Sequence, residues 1–163
     1  MPAGAGRQGE MMEEMSTLGT LVHSLVHGTT YQMLDAAEAL GRQGEGAVLP
    51  VAPLLRSVHR EVRWRAATAL ERIGPPAVEA LAAAAADPDW RVRIPAIWAL
   101  EQIGDERSVA PLLQNLQGRN ECCRWMAATT LSRIGDDAVR QAVEEVFVAG
   151  PSGRGVDGLA DSA

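Results

Sequence analysis

The strongest constraint on this chain is a segment that recurs along it at a nearly constant interval. The clearest copy reads EVRWRAATALERIG at residues 61–74. Sliding the sequence against itself places Gly44, Gly74 and Gly104 at a spacing of 30 residues, and Gly135 follows 31 residues later. Self-similarity at a period of 20 to 50 residues is typical of arrays in which helical units stack on their neighbours.

Other matches fix the register of the repeat. Val62-Arg63 recurs as Val92-Arg93, Cys123-Arg124 takes the same place, and the string VAPLL occurs unchanged at residues 51–55 and 109–113. Alternation of apolar and polar residues within each unit follows a helical period. We therefore predict an all-α fold, a right-handed α-α superhelix of four helix pairs followed by one terminal helix.

Capping and breaking residues place the boundaries of several helices. We expect the first helix over residues 18–26 and the second from Tyr31 to Gln43, after a cap within residues 28–30. In the third pair we expect Asp87 to be the N-cap with Pro88 in the first turn. Pro95 falls inside the following helix and is expected to bend it, and Gly74 suits a left-handed helix end.

Composition divides the chain into three regions. Residues 1–16 mix Gly, Glu, Pro and Met without a packing period, so we predict a flexible arm whose residues 10–15 form at most a short helix. Residues 17–148 carry the repeats. Residues 149–163 are rich in Gly, Ser and Asp and are predicted to be a disordered tail.

The repeat pattern resembles a known family. The residues VR-x-x-AA-x-AL-x-x-IG at 62–74, together with GDERSVAPLL at 104–113, resemble the HEAT-like repeat of the phycocyanobilin lyase type. The resemblance covers roughly residues 18–148. It implies that the helix bearing Val-Arg lines a concave surface while its partner lies outside. Members range from bilin lyase subunits to adaptor domains and DNA glycosylases, so the resemblance leaves the function open.

Charge and hydropathy exclude some classes of function. The formal net charge of -6 disfavours a dedicated nucleic-acid binder. All 15 basic residues are arginines. No apolar run reaches the roughly 18 residues of a membrane span, and no signal sequence is recognised, so we expect a cytoplasmic protein. Cys122 and Cys123 are adjacent, and Cys123 is predicted to be a buried small side chain.

The tryptophans point to the function of the inner helices. All four avoid the apolar stripe formed by Val62, Ala66, Ala69, Leu70 and Ile73 and its equivalents, so they are predicted to face the concave side. Exposed aromatics in one patch usually mark an interface. The predicted partner-binding residues are Trp64, Trp90, Trp98, Trp125, Arg60, Arg65, Arg91, Ile94 and Met126. Packing of the tryptophans without a partner, self-association, or capping by the Met-rich arm remain open alternatives.

A second set of arginines is predicted to be structural. Arg63, Arg93 and Arg124 recur in register, and an Arg at this position is expected to pair with an acidic residue such as Asp105 or Asp136. Arg60, Arg65, Arg91 and Arg133 are expected to be freer to contact a ligand. Acidic residues share their side of the helices, so the surface is predicted to be mixed in sign.

The sequence shows no recognised catalytic signature. His23 and His27 stand four residues apart without a nearby third ligand, so no metal site is predicted. No nucleophile elbow, phosphate loop or Cys-x-x-Cys pair occurs, and no cofactor or catalytic residue is assigned. The sequence therefore favours a non-catalytic scaffold that binds a protein or peptide. An accessory subunit of a bilin lyase-like enzyme and a nucleic-acid-binding protein are the alternatives.

Overall fold

A computed structural model describes the backbone of residues 5–148 and the side chains of residues 12, 13 and 15–146. Residues 1–4 of the predicted arm and the predicted tail, residues 149–163, lie outside the described residues. Within this range the helices are α1 (Ala5–His27), α2 (Thr30–Gln43), α3 (Val48–Val51), α4 (Arg60–Ile73), α5 (Val78–Ala85), α6 (Trp90–Ile103), α7 (Val109–Leu116), α8 (Glu121–Ile134) and α9 (Asp137–Val148). The prediction of four helix pairs and a terminal helix is confirmed.

The helices form two layers. We call α2, α4, α6 and α8 the inner layer, because each packs on the next along the array. The outer layer consists of α1, α3 with its flanking turns, α5 and α7, each packed on the inner helix of its own pair, and α9 packs on α8. Every regular element within residues 5–148 is an α-helix or a 3₁₀ turn. The chain is therefore an all-α superhelix.

Close packing of the inner layer depends on small side chains. Ala66, Ala67 and Ala69 on α4 are fully buried, as are Ala96 and Ala99 on α6. On α2 the corresponding contact is closer still: a Cβ added at Gly41 would lie 2.8 Å from the backbone oxygen of Arg72. The spacing of α2 and α4 therefore requires glycine at position 41.

Several helix ends follow the sequence signals. Thr29 caps α2, and its side chain and backbone form a reciprocal capping box with Gln32. Gly44, Gly74 and Gly104 have φ values of 61°, 78° and 68°, which favour glycine. Of these three, only Gly104 is left-handed helical, so the prediction of that conformation for Gly74, whose ψ is -140°, is wrong. Gly135 ends α8 with φ -78° instead, so the recurring glycine does not adopt one conformation throughout.

The predicted cap of α6 is wrong. The helix begins at Trp90, and the Asp89 side chain, not that of Asp87, accepts from the first turn, at 2.9 Å from the nitrogen of Arg91. The Asp87 carboxylate instead accepts from the backbone nitrogen of Asp89 at 3.0 Å and from Nε of Arg56 at 2.8 Å. The Asp87 side chain therefore closes the turn that precedes the helix, and the helix starts two residues later than predicted.

The outer element of the second pair is interrupted. A 3₁₀ turn at Gly44–Ala47, the single turn α3 and a second 3₁₀ turn at Ala52–Arg56 replace a regular helix. Pro50 and Pro53 both lack the amide proton that an α-helix needs. In the matching outer helix α7, the place of Pro50 is taken by Ser108, and the helix is regular from Val109 onward.

The first helix is longer than residues 18–26. Helix α1 begins at Ala5 and runs without a break through residue 17, where the repeat domain was predicted to begin. The side chains of Met12 and Met15 on this helix are 73% and 70% exposed, whereas Leu25 near its end is fully buried. Contact with the core is therefore concentrated in the second half of α1.

Candidate partner-binding surface

The tryptophans of the inner layer lie in two kinds of environment. Trp90 at the start of α6 is 48% exposed and Trp125 on α8 is 63% exposed. Trp64 on α4 and Trp98 on α6 are half-buried, and their rings meet edge to face with centroids 5.7 Å apart and an interplanar angle of 67°. Such a pair is stabilised beyond its buried area, because the positive edge of one ring meets the negative face of the other.

Ile94 and Met126 are half-buried and pack partly against the core. We call Trp64, Trp90, Ile94, Trp98, Trp125 and Met126 together the tryptophan strip. On α2, Leu34 occupies the position of the first repeat that Trp64 occupies in the second, and it is 43% exposed. Tyr31, nearly one turn earlier on the same helix, is 83% exposed. Tyr31 was not among the predicted partner-binding residues. Its aromatic side chain on an otherwise polar side of the helix was the sequence signal that could have identified it as exposed.

The three arginines predicted to bind the partner differ in the hydrogen bonds and ion pairs that they already make within the protein. Arg60 is exposed, and its side chain makes no hydrogen bond or ion pair within residues 5–148. Arg91 binds the Asp89 carboxylate with both Nε and Nη2, and these side-chain hydrogen bonds lower the pKa of Asp89. Arg65 donates from Nη1 to the carbonyl oxygens of Leu25, Val26 and Gly28 at 3.0–3.1 Å.

The contacts of Arg65 give it a structural function. The last carbonyl groups of a helix have no partner within that helix, and Arg65 supplies a donor at the end of α1. The same guanidinium carries positive charge to the negative end of the helix dipole. Arg65 therefore joins the outer helix of the first pair to the inner helix of the second.

The recurring Arg63 and Arg93 are structural, as predicted, but their predicted acidic partners are wrong. Nη1 of Arg63 donates to the carbonyl oxygens of Ser57 and Val58, and Nη1 of Arg93 donates to those of Asp87 and Pro88. Each arginine thus fixes the turn that leads into its own helix. Asp105 pairs with Arg107 instead, with Oδ2 2.7 Å from Nη2.

Pro95 has a specific consequence for Arg63. Proline has no amide proton, so the carbonyl oxygen four residues earlier, that of Arg91, receives no hydrogen bond inside α6. Nε of Arg63 donates to this oxygen at 3.1 Å. The predicted position of Pro95 inside a helix is therefore confirmed, and the freed carbonyl links α6 to α4.

Two open clefts lie beside the tryptophan strip. One has a volume of about 440 Å³ and is lined by Arg60, Glu61, Trp64 and Arg65. The other has about 230 Å³, and it brings Trp125 on α8 together with Val143 and Glu144 on α9. Apolar and charged groups therefore alternate along this side of the array.

The electrostatic character of the surface is mixed. Arg133 on α8 pairs with Glu101 on α6 at 2.8 Å, and Arg42 lies 3.8 Å from Glu38 on α2. These exposed pairs contribute little to stability, because water and salt screen them. They do reduce the positive potential that would attract a polyanion.

The histidines lie on α1, whereas the sulfur of Cys122 on α8 is 4.0 Å from the sulfur of Met126 in the tryptophan strip. The rings of His23 and His27 on α1 lie 4.8 Å apart, and both residues are exposed. Across the described side chains, no group of three or more His, Cys, Asp or Glu residues is arranged to hold a metal ion. Cys123 is buried, as predicted, and Cys122 is exposed. None of the described helices has the length and apolar character needed to cross a membrane.

Two layers of antiparallel helices, repeated along one axis with an aromatic inner side, define an α-helical repeat scaffold. The chain belongs to the family described as HEAT repeats, which matches residues 48–121 and, in a second overlapping placement, residues 79–154. The match does not distinguish the phycocyanobilin lyase type within that family.

Solved structures with a similar arrangement include designed proteins. The crystal structure of an engineered protein is 25% identical, with a TM-score of 0.47, and the alignment covers 79% of this chain and 67% of that one. The crystal structure of computationally designed armadillo repeat proteins for modular peptide recognition is 19% identical, with a TM-score of 0.44, covering 88% of this chain and 76% of that one. No curated protein matches the sequence.

Proposed function

We propose that this protein is a non-catalytic HEAT repeat scaffold whose residues 17–148 bind a protein or peptide partner along the inner layer. The observation that carries the proposal is the tryptophan strip, in which the exposed Trp90 and Trp125 accompany the edge-to-face pair of Trp64 and Trp98. Aromatic residues in such a patch supply most of the binding energy in many protein interfaces.

The size of the strip suits a polypeptide segment. Each Trp buries roughly 150–250 Å² when covered, and a stable interface buries about 800 Å² on each partner. Trp90 and Trp125 with the exposed parts of Ile94 and Met126 supply a substantial fraction of that area. The open clefts at Trp64 and Trp125 offer places for individual side chains of the partner.

Rigidity also supports this function. The Trp64–Trp98 contact and the Arg133–Glu101 pair both connect neighbouring inner helices, so the surface is formed before a partner arrives. A preformed surface loses less conformational entropy on binding than a flexible one. Arg60, which lacks a partner within residues 5–148, is the cation available to orient an acidic group of the bound segment.

A paired set of variants tests the proposal. Trp90→Ala combined with Trp125→Ala removes exposed area from the inner layer, and Leu49→Ala combined with Val58→Ala removes exposed apolar side chains, 84% and 87% accessible, from the outer connections. Each protein is used to capture binding proteins from native lysate. A protein that binds the wild type and the Leu49/Val58 variant, but not the Trp90/Trp125 variant, is then purified, and its dissociation constant is measured directly. We expect the first variant to weaken binding by at least about tenfold.

Two results contradict this function. One is equal loss of binding in both double variants, which indicates non-specific hydrophobic adsorption. The other is binding that depends on nucleic acid in the lysate and falls steeply with salt, since that dependence is characteristic of phosphate contacts.

A further inference from the structure

A polar cleft between the third and fourth repeats lies near the turns that join outer to inner helices. Its volume is about 310 Å³, and its lining includes Arg93, Gln114, Asn115, Arg119 and Cys123. Two guanidinium groups and no carboxylate line it, although the whole chain carries a net charge of -6. The cleft is therefore locally positive on an acidic protein.

Arg93 has unused hydrogen-bonding capacity here. Its Nη1 donates to two turn carbonyls, at 2.9 and 3.1 Å, but its Nε is buried and has no acceptor. A buried charged donor without a hydrogen-bond acceptor costs free energy, so the missing acceptor of the Arg93 Nε–H calls for an explanation.

Comparison with the preceding repeat shows why the acceptor is missing. Arg63 makes the same two turn contacts, and its Nε reaches the carbonyl oxygen that Pro95 leaves free on α6. On α8 the place of Pro95 is taken by Met126, which has an amide proton and closes the helical hydrogen bond to Cys122. Arg93 therefore has the geometry of Arg63 without its acceptor.

The remaining groups favour an anion over a neutral ligand. Burial raises the pKa of the Cys123 thiol and outweighs the Arg93 guanidinium beside it, which favours the charged form, so this thiol is uncharged at neutral pH and does not balance Arg93. Asn115 is nearly buried and held by hydrogen bonds to the carbonyls of Ala85 and Pro111, which fixes the opposite wall. The exposed Arg119 makes no hydrogen bond or ion pair within residues 5–148 and is available at the mouth.

We propose that this cleft binds a carboxylate, which Arg93 holds through its Nε–Nη2 edge while Arg119 closes on it from the mouth. A planar guanidinium edge matches the two oxygens of a carboxylate, and such paired hydrogen bonds are strong and directional. Because Nε is buried, the second oxygen can reach it only when the Cys123 side chain, which also lines the cleft, moves aside. The site is distinct from the tryptophan strip, and the proposal does not depend on the function proposed for that strip.

Two sources offer this chemistry: a small free organic acid, or a Glu side chain of a bound polypeptide. Titration with succinate tests the first, and titration with a short peptide carrying one Glu, blocked at both ends, tests the second. The readout is the proton–nitrogen NMR signal of the Arg93 Nε–H, assigned from Arg93→Lys. A saturable shift with either probe supports the proposal, and the probe that binds more tightly identifies the source.

The variants separate binding from folding. Arg119 lies on an exposed turn, so Arg119→Gln should leave the helical circular dichroism unchanged. We expect this variant to bind the carboxylate probe about tenfold more weakly than the wild type. Arg93→Met is expected to abolish the saturable shift of the backbone amides of Gly118 and Arg119. Arg42→Gln, which removes an exposed arginine on α2 that lines none of these clefts, is the control and should bind as the wild type does.

Three results overturn the proposal. The first is a shift that grows linearly with probe concentration and never saturates, which indicates general ionic strength effects. The second is equal weakening of probe binding by Arg42→Gln and Arg119→Gln. The third is saturable binding that survives in Arg93→Met, because the acceptor would then be held by other groups.

Discussion

Nε of Arg63 on α4 donates a hydrogen bond to the main-chain oxygen of Arg91 on α6, 3.1 Å away. This oxygen is available because Pro95, four residues further along, has no amide proton. An internal proline, which usually weakens a helix, is here part of a contact between neighbouring repeats.

The first prediction concerns the coupling of Arg63 and Pro95. In a protein that keeps Pro95, Arg63→Met leaves the main-chain oxygen of Arg91 without a donor. In the Pro95→Ala background, the amide of residue 95 supplies that donor from within the helix. The loss of unfolding free energy caused by Arg63→Met should therefore be smaller by about 1 kcal/mol in the Pro95→Ala background. Urea unfolding of the four proteins measures this difference. Additivity within about 0.3 kcal/mol contradicts the role assigned to Pro95.

The second prediction concerns the aromatic pair. Trp98→Ala should lower the unfolding free energy by about 2 kcal/mol, less than the roughly 3–5 kcal/mol of a fully buried Trp, because Trp98 is half-buried. Trp64 and Trp98 should show a coupling of about 1 kcal/mol in a double-mutant cycle. Trp90→Ala, at an exposed site, is the control and should change stability by less than about 0.5 kcal/mol. If Trp90→Ala lowered the unfolding free energy more than Trp98→Ala does, the burial described for these two side chains would be contradicted.

The third prediction concerns Gly41. A methyl group at this position meets the backbone oxygen of Arg72 at 2.8 Å, so Gly41→Ala should force α2 and α4 apart and destabilise the fold by about 1–3 kcal/mol. At Gly46 an added Cβ meets nothing within 4 Å, and Gly46→Ala should be neutral or slightly stabilising. Thermal unfolding compares the two variants, and equal midpoints would refute the close approach of the helices.

The fourth prediction concerns acid stability. Hydrogen bonds from the Arg107 side chain and backbone lower the pKa of Asp105 to about 2, whereas an unfolded Asp has a pKa of about 3.9. The pair therefore stabilises the protein above about pH 4, and this stabilisation disappears as the pH falls through about 2. The wild type should unfold at a higher temperature than Asp105→Asn at pH 5, with the difference narrowing towards pH 2. A constant difference across this range would exclude the pairing as its cause.

The fifth prediction concerns the adjacent cysteines. Cys122 is exposed and Cys123 is buried, and burial raises the pKa of the Cys123 thiol. A chromogenic disulfide reagent at neutral pH should modify Cys122 rapidly, because the thiolate is the reactive form and must be accessible. Cys123 should react only as fast as the protein opens. Cys122→Ser should therefore remove the fast phase, and persistence of a fast phase in that variant would contradict the burial of Cys123.

Much of the fold could be predicted from the sequence, because the repeat period and the recurring glycines determine where helices end. The outer element of the second pair departed from a regular helix where Pro50 interrupts the pattern. The cap of α6 was misplaced because Asp87 and Asp89 are both good caps, and the sequence does not show which of the two carboxylates accepts from the first turn of the helix.

The arrangement of the surface was less accessible to sequence reasoning. The helical wheel excluded all four tryptophans from the core stripe, but it describes one helix at a time. The contact of Trp64 with Trp98 depends on the separation of α4 and α6, so their partial burial was not predicted. The acceptors of Arg63 and Arg93 are carbonyl oxygens of turns, which carry no sequence signature.

The link between Arg63 and Pro95 also limits how this array can evolve or be rebuilt. The positions equivalent to Pro95 hold Asp35, Arg65 and Met126, so only the third unit exposes a carbonyl to its predecessor. In the first unit Met33 replaces the donating arginine. Transposing the second and third units would separate the donor from its acceptor, even though both units keep the shared consensus. The order of these two units therefore matters, because a unit inserted between them would separate Arg63 from the carbonyl oxygen of Arg91.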